Sequence, residues 1–373
     1  MLDRAILAGV TLAALLLLGS CQQPAGPRPG AAPQGVPRFA VDPYWPKPLP
    51  GNWILGQVSG IAVDKNDHIW IVHRPGTLVD DEKGALQTPP LTKCCTPAPA
   101  VLEFDAAGNL LRRWGGPGAG YEWPQSEHGL FVDAAGDVWI AGNSNNDHQI
   151  LKFTADGKFL QQIGRSGATG GSNSPTQLGR PAHMEIEEAT AELYVADGYG
   201  NRRVLVLDAK TGAYKRHWGA YGNRPQDDKL PAYSPTSPLS QQFANPVHCV
   251  RLARDGLVYV CDRGNDRIQV FEKSGKFVKE FRIEPETLQN GSVWDLVLSE
   301  DPSQRYVFVA DGANNQIIVI DRNSGAVLSQ FGQAGRMAGQ FKWVHNMAID
   351  SKGNLYTAEV GTGRRAQKFT RAQ

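Results

Sequence analysis

The chain carries almost no net charge: 38 Lys and Arg stand against 37 Asp and Glu, a balance of +1 over 373 residues. Its basic residues are scattered, with no Arg-rich helix and no stripe of alternating aromatics and cations. Binding to nucleic acid needs a concentrated positive footprint, so that class of partner is excluded. Long apolar runs are scarce as well. The one from Ala5 to Leu18 is too short, and too near the start, for an ordinary membrane-spanning helix. Cysteine is limited to five residues: Cys21, Cys94, Cys95, Cys249 and Cys261.

What is present is repetition. Six segments, 68–74, 137–143, 192–198, 257–263, 306–312 and 354–360, mix β-branched and aromatic residues and end at an acid, a small residue or Arg. Such runs, bounded by Gly, Asn and Asp, read as strands. Strand pairs with a small turn follow at 101–115, 150–164, 204–219, 268–282 and 317–332. One such unit cannot bury both faces of its own sheet, so neighbours must stack around an axis. The expectation is an all-β, six-bladed β-propeller. The last unit reaches only 366–369 before the chain stops, one strand short, whereas 38–43 is a strand candidate without a partner. The N-terminal strand is therefore expected to complete the last blade and cover its open edge. Units recur every 46 to 69 residues or so, against about 40–45 for a compact blade, so loops are inserted. The largest, 75–100, 165–180 and 220–242, are rich in Gly, Pro, Ser and Asn and suit a binding face or a lid.

The start of the chain reads as targeting. Arg4 precedes the apolar run, which closes on Leu18, Gly19, Ser20 and Cys21. This resembles the bacterial lipoprotein signal, and implies a signal peptide over 1–20 and a lipid on Cys21 that anchors the protein to a membrane. Gln22, rather than Asp, follows the cysteine. By the same resemblance, that points to the outer membrane of a bacterial cell envelope, facing the periplasm or the exterior. Residues 21–37, rich in Pro, Gly and Ala, are expected to be a flexible tether, and 38–373 the propeller. Export permits disulfides. Cys249 and Cys261 fall on successive strands of one unit and either pair or stay as buried thiols; the vicinal Cys94 and Cys95 either bond to each other, bridge to other thiols or bind metal.

Four of the eight histidines fall at one place in the repeat. Aligning Ser59-Gly60-Ile61-Ala62-Val63-Asp64 with His128-Gly129-Leu130-Phe131-Val132-Asp133 sets Ser59 against His128, and His183, His248, Trp294 and His345 follow in the other units. The first strand of a blade lines the central channel, so these positions converge in space. Neutral imidazoles from rigid strands, with one coordination position left open, are what a catalytic zinc site needs. His68, His148 and His217 have no such register and read as solvated or structural. His73 stands beside Arg74.

Over roughly 55–369 the chain resembles the peptidyl-α-hydroxyglycine α-amidating lyases, six-bladed propellers of the NHL-repeat type. The resemblance rests on Ser59 to Asp64 leading to His73-Arg74, on His128-Gly129-Leu130, on Asp197-Gly198-Tyr199-Gly200-Asn201-Arg202, and on Pro246-Val247-His248, Asp262-Arg263 and Val344-His345. It implies zinc on His128, His248 and His345, Tyr199 as catalytic base, and Arg74 beside it with Arg263 nearby. A tyrosinate next to a guanidinium would remove the carbinol proton as the C–N bond breaks, yielding an amide and glyoxylate. The resemblance also implies a structural calcium on the carbonyls of Ile61 and Leu130 and on an Asp after the last histidine. This chain has Asn346 there, a weaker neutral ligand. Other departures are Trp343 in place of a Met, Gly200 in place of a disulfide cysteine, and His183, which has no family counterpart and is either a fourth ligand or a polar channel residue. No copper-monooxygenase segment is recognisable, so the hydroxylated substrate is expected to be made by another protein. The expected function is a zinc-dependent lyase acting on a small-molecule or peptide substrate. The alternatives are a non-catalytic propeller that binds a peptide, a glycan or another envelope protein, and a hydrolase using metal-bound water.

Overall fold

The computed structural model describes residues 35–372. Six four-stranded antiparallel sheets follow one another along the chain and close as a β-propeller. From the channel outward, blade 1 is Gln57–Val63, Ile69–Arg74, Val101–Phe104 and Leu110–Trp114. Blade 2 is Glu127–Val132, Val138–Gly142, Gln149–Phe153 and Phe159–Gly164. Blade 3 is His183–Glu187, Glu192–Asp197, Arg203–Asp208 and Tyr214–Trp218. Blade 4 is Val247–Leu252, Leu257–Asp262, Arg267–Glu272 and Phe277–Arg282. Blade 5 is Asp295–Leu298, Tyr306–Asp311, Gln316–Asp321 and Val327–Phe331. Blade 6 takes Val344–Ile349, Leu355–Glu359 and Arg365–Arg371 from the end of the chain and Phe39–Asp42 from its start. The closing pair runs from Phe39 opposite Arg371 to Asp42 opposite Lys368, as the sequence led us to expect.

Local chemistry repeats with the blades. Asp64, Asp133 and Asp350 directly follow the inner strands of blades 1, 2 and 6; one carboxylate oxygen of each accepts backbone N–H groups of the following turn. The other oxygen takes Trp70 Nε1 (3.2 Å), Trp139 Nε1 (2.9 Å) or Tyr356 Oη (3.0 Å) on the next strand. The turn and the aromatic beside it are thereby fixed together. Second strands are buried on both faces, and outer strands such as Leu110–Trp114 expose their middle residues. Six apolar clusters fill the six gaps between blades. The last gap holds Phe39 against Phe308 (ring centroids 5.3 Å apart) and Phe331 against Phe369 (5.5 Å), so closure buries large aromatics as well as pairing backbone.

The expected signal peptide, Cys21 and most of the expected tether lie outside the described residues. The last tether residues are docked: Tyr306 Oη donates to the Gly35 carbonyl (2.7 Å) and Val36 is buried against blade 5. Among the described residues, no helix is long and apolar enough to cross a membrane. Cys249 and Cys261 pair across adjacent strands as a disulfide, and Cys94 and Cys95 bond to each other.

Candidate metal centre

A backbone irregularity aims the histidines. In blades 1, 2, 4 and 6 the inner strand carries one residue more than its neighbour: pairing passes from Val58–His73 to Gly60–Val72, from Glu127–Gly142 to Leu130–Ile140, from Val247–Asp262 to Cys249–Cys261, and from Val344–Glu359 to Asn346–Ala358. Ser59, His128, His248 and His345 fall within these bulges. A β-bulge bends its strand and re-aims a side chain. Three imidazoles from alternate blades consequently meet on the axis, with ring centroids 4.6, 4.8 and 5.1 Å apart.

Each of these rings hands Nδ1 to the backbone of the next blade. His128 donates to Ala182 O (2.8 Å), His345 to Ser59 O (2.7 Å), and His248 to Trp294 O. That fixes the tautomer and leaves three unprotonated Nε2 lone pairs converging. All three rings are buried. Burial, reinforced by the neighbouring imidazoles and by Arg74 or Arg263, holds His128 and His248 well below the ordinary imidazole range and His345 at about 3. Ligand atoms of these three histidines lie within 4.8 Å of one another. Neutral, oriented and buried imidazoles fit a zinc ion.

Tyr199 closes one side of this group. Its hydroxyl is 2.9 Å from His128 Nε2 and 3.1 Å from His248 Nε2. It sits on the turn after Asp197, whose carboxylate is bonded by Gly179 N (2.7 Å), Asn201 Nδ2 (2.7 Å) and the buried Arg203 Nε (2.8 Å). Gly198 must be glycine, because a Cβ there would lie 1.9 Å from Val247 O. Arg263 occupies the matching turn of blade 4, stacked 3.6 Å over the Trp294 ring and bonded to Asn290 O, with the Tyr199 side chain nearby. Arg74 ends the second strand of blade 1 and donates to Glu127 O (2.7 Å), Gln57 Oε1 (3.0 Å) and Asn143 Oδ1 (3.2 Å). Burial pulls both guanidiniums below their ordinary pKa, and the nearby Tyr199 opposes this.

His183 is one residue out of the expected register. It pairs with Ala196, as Cys249 pairs with Cys261 and Asn346 with Ala358, so the blade 3 residue at the histidine level is Ala182. No bulge interrupts the blade 3 pairing. His183 is therefore not a fourth ligand: its Nδ1 bonds to Val250 O (3.0 Å), it faces Arg251 and Asp295, and burial lowers it to about 3.

The expected calcium ligands do not fit calcium. Arg251 Nη2 donates to Asp295 Oδ2 (2.8 Å) and to Met347 O (2.9 Å). Met347 lies two residues past His345, as Leu130 lies past His128 and Ile61 past Ser59, so a guanidinium stands at the level of the Ile61 and Leu130 carbonyls. Asn346 donates Nδ2 to the same carboxylate (3.1 Å) and turns Oδ1 to His345 Nδ1 (2.8 Å). Burial alone would raise Asp295, but the Arg251 guanidinium and the channel donors keep it below the usual carboxylate range. The negative charge that would attract a divalent ion is already neutralised.

The other histidines stay away from this centre. His73 accepts from Gly56 N (3.1 Å) and donates to Pro99 O (3.0 Å), pinning the 75–100 insertion. His68 pairs with Glu103 (2.8 Å). The sequence reading missed Asn143 and Arg180. Asn143 was findable, since it follows Gly142 as Arg74 follows His73; Arg180, in an insertion, has no repeat register.

The NHL repeat family matches residues 247–271, the first three strands of blade 4. Blade 4 of this six-bladed propeller thus carries a match to the NHL repeat. It is 25% identical over 356 residues to NHL repeat-containing protein 3 of Mus musculus, covering 89% of this chain and 84% of that protein. It is 24% identical over 325 residues to the probable peptidyl-α-hydroxyglycine α-amidating lyase of Caenorhabditis elegans, covering 83% and 81%. Among solved structures, streptogramin B lyase superposes with a TM-score of 0.52 at 14% identity, over 90% of this chain and 98% of that one, a likeness of fold. The propeller is thus related, at modest identity, to the α-amidating lyases.

Proposed function

We propose that this propeller is an exported, zinc-dependent lyase that cleaves the C–N bond of an α-hydroxyglycine-type carbinolamide into a primary amide and glyoxylate. One observation carries the reading: three neutral imidazoles converge at the Tyr199 hydroxyl, which lies within hydrogen-bond distance of His128 Nε2 and His248 Nε2, with Arg263 and Arg74 nearby. The relationship to named amidating lyases supports it.

Zinc held by His128, His248 and His345 would supply Lewis acidity to the carbinol oxygen. Tyr199, ionised, takes the hydroxyl proton. The O–H electron pair becomes the second bond of the glyoxylate carbonyl, and the C–N pair leaves with the amide nitrogen. Tyr199 then returns its proton to that nitrogen, so the base is regenerated and no co-reactant is consumed. Arg74 and Arg263 place positive charge beside the phenolate in a largely water-excluded site, where it acts more strongly than in bulk water.

The two disulfides support an oxidising, extracytoplasmic location. The Leu18 to Cys21 signal supports lipid anchoring through Cys21 in a bacterial envelope. The test is glyoxylate release from a peptide ending in α-hydroxyglycine, by the zinc-loaded protein from Gln22 onward. Release that collapses in Tyr199→Phe is expected; no release from a protein that retains zinc overturns the reaction. A second reading, a propeller that only binds a partner, is favoured by the similarity to NHL repeat-containing protein 3, whose name states no reaction. That reading predicts unchanged partner binding when Tyr199 and Arg74 are replaced.

A further inference from the structure

Beside Tyr199 lies a guanidinium with no place in the scheme above. Arg180 is half-buried in the 165–180 insertion, with its backbone in the left-handed region at φ 61°, a conformation that is unfavourable for any residue with a Cβ. Its carbonyl accepts the Tyr199 N–H (3.2 Å), and its guanidinium lies 5.7 Å from the Tyr199 ring centroid. Arg180 Nε and Nη2 both donate to Asn143 O, at 2.9 and 2.7 Å. The side chain of the same Asn143 accepts from Arg74 Nη2 (3.2 Å) and from Ser126 Oγ (2.8 Å). One residue therefore ties two guanidiniums together at the phenol.

No carboxylate bonds directly to either of these guanidiniums. Among the described residues, the donated bonds of Arg74 and Arg180 all go to carbonyl or amide oxygens, and Nη1 of Arg180 has no acceptor. The carboxylates nearest Arg74 are committed elsewhere. Glu127 Oε1 takes Trp123 Nε1 (2.8 Å), and Asp147 takes the N–H groups of Gln125, Ser126 and Ser144. Two like charges held on one anchor, with no carboxylate bonded to either, favour an anionic guest, and planar guanidiniums match a carboxylate in particular.

We propose that Arg180, together with Arg74, grips a carboxylate of the substrate, and that it makes the site selective for carbinolamides that carry a free carboxylate. This rests on the lyase reading for the substrate class, but the anion site itself does not need the reaction. Two measurements separate them. The first compares kcat/KM of the zinc-loaded full chain on N-benzoyl-α-hydroxyglycine, which yields benzamide and glyoxylate, with that on neutral N-(hydroxymethyl)benzamide, which yields benzamide and formaldehyde. Arg180→Ala is expected to lower the acid-to-neutral ratio by about tenfold or more, chiefly through KM, with partial rescue in Arg180→Lys. An unchanged ratio, with both substrates slowed equally, would assign Arg180 to holding Tyr199 and overturn the proposal.

The second measurement is calorimetric titration with N-benzoylglycine, which carries the carboxylate but cannot react. Binding about tenfold weaker in Arg180→Ala is expected. Weakened binding in a protein that turns over neither substrate would keep the anion site and remove the lyase reading. Turnover with N-benzoylglycine affinity unaffected by Arg180→Ala would do the reverse.

Discussion

At the histidine level of the channel, three neutral imidazoles converge with no carboxylate among them, whereas one residue deeper Asp295 is paired with Arg251 and bonded by Asn346. Both layers are buried and come from the same inner strands. The upper layer presents three lone pairs to an outside cation; the lower carries its own. The difference lies in backbone register. Bulge residues deliver His128, His248 and His345 to the axis, and the next pairing position delivers His183, Asp295 and Asn346. A one-residue step thus separates a layer built to receive a metal from one that has no use for it.

The largest effect is expected from breaking the upper layer. His248→Ala removes one of the three proposed zinc ligands and should abolish stoichiometric zinc in metal analysis, and glyoxylate release with it. Tyr199→Phe should leave zinc in place and cut release by about 10²–10⁴-fold, the range for a lost acid–base group. In the lower layer, Asp295→Ala strands a largely buried guanidinium and should cost about 3 kcal/mol in urea unfolding while leaving zinc content unchanged. Calcium chelation should shift the unfolding midpoint of neither wild type nor variant.

A finer test contrasts two buried carboxylates. Asp295 is held low by its arginine, whereas burial without a cation at hand raises Asp266 to about 7, even though Ser292 bonds to it. Because the folded-state pKa of Asp266 lies above its unfolded value, the native state holds the extra proton between about pH 4 and 7. Stability is therefore lost as pH rises through that window. Asp266→Asn should be more stable than wild type at pH 8 by about 1–2 kcal/mol, and by much less at pH 5, as denaturant titrations at the two pH values would read.

Much of the frame was legible in the sequence because it rests on short-range pattern. Alternating strands and Gly turns gave the repeat, and an unpaired first strand with a missing last one gave the closure through Phe39–Asp42. His128, His248 and His345 could be grouped because repetition places equal positions around one axis. His183 went astray for a physical reason: aligning residue types slides past a bulge, and only pairing shows which strands carry the extra residue. Arg251 was overlooked because its significance lies in reaching across the channel to Asp295 and Met347, from other blades. Arg180 and Cys94–Cys95 sit in insertions, where no periodicity informs position.

The most direct test of this two-layer account is metal content after equilibration of the purified protein with excess zinc and calcium, followed by exhaustive dialysis. The account predicts one zinc per chain and no calcium, with the zinc lost in His248→Ala. Retention of calcium, or the absence of tightly bound zinc in the wild-type protein, would contradict it.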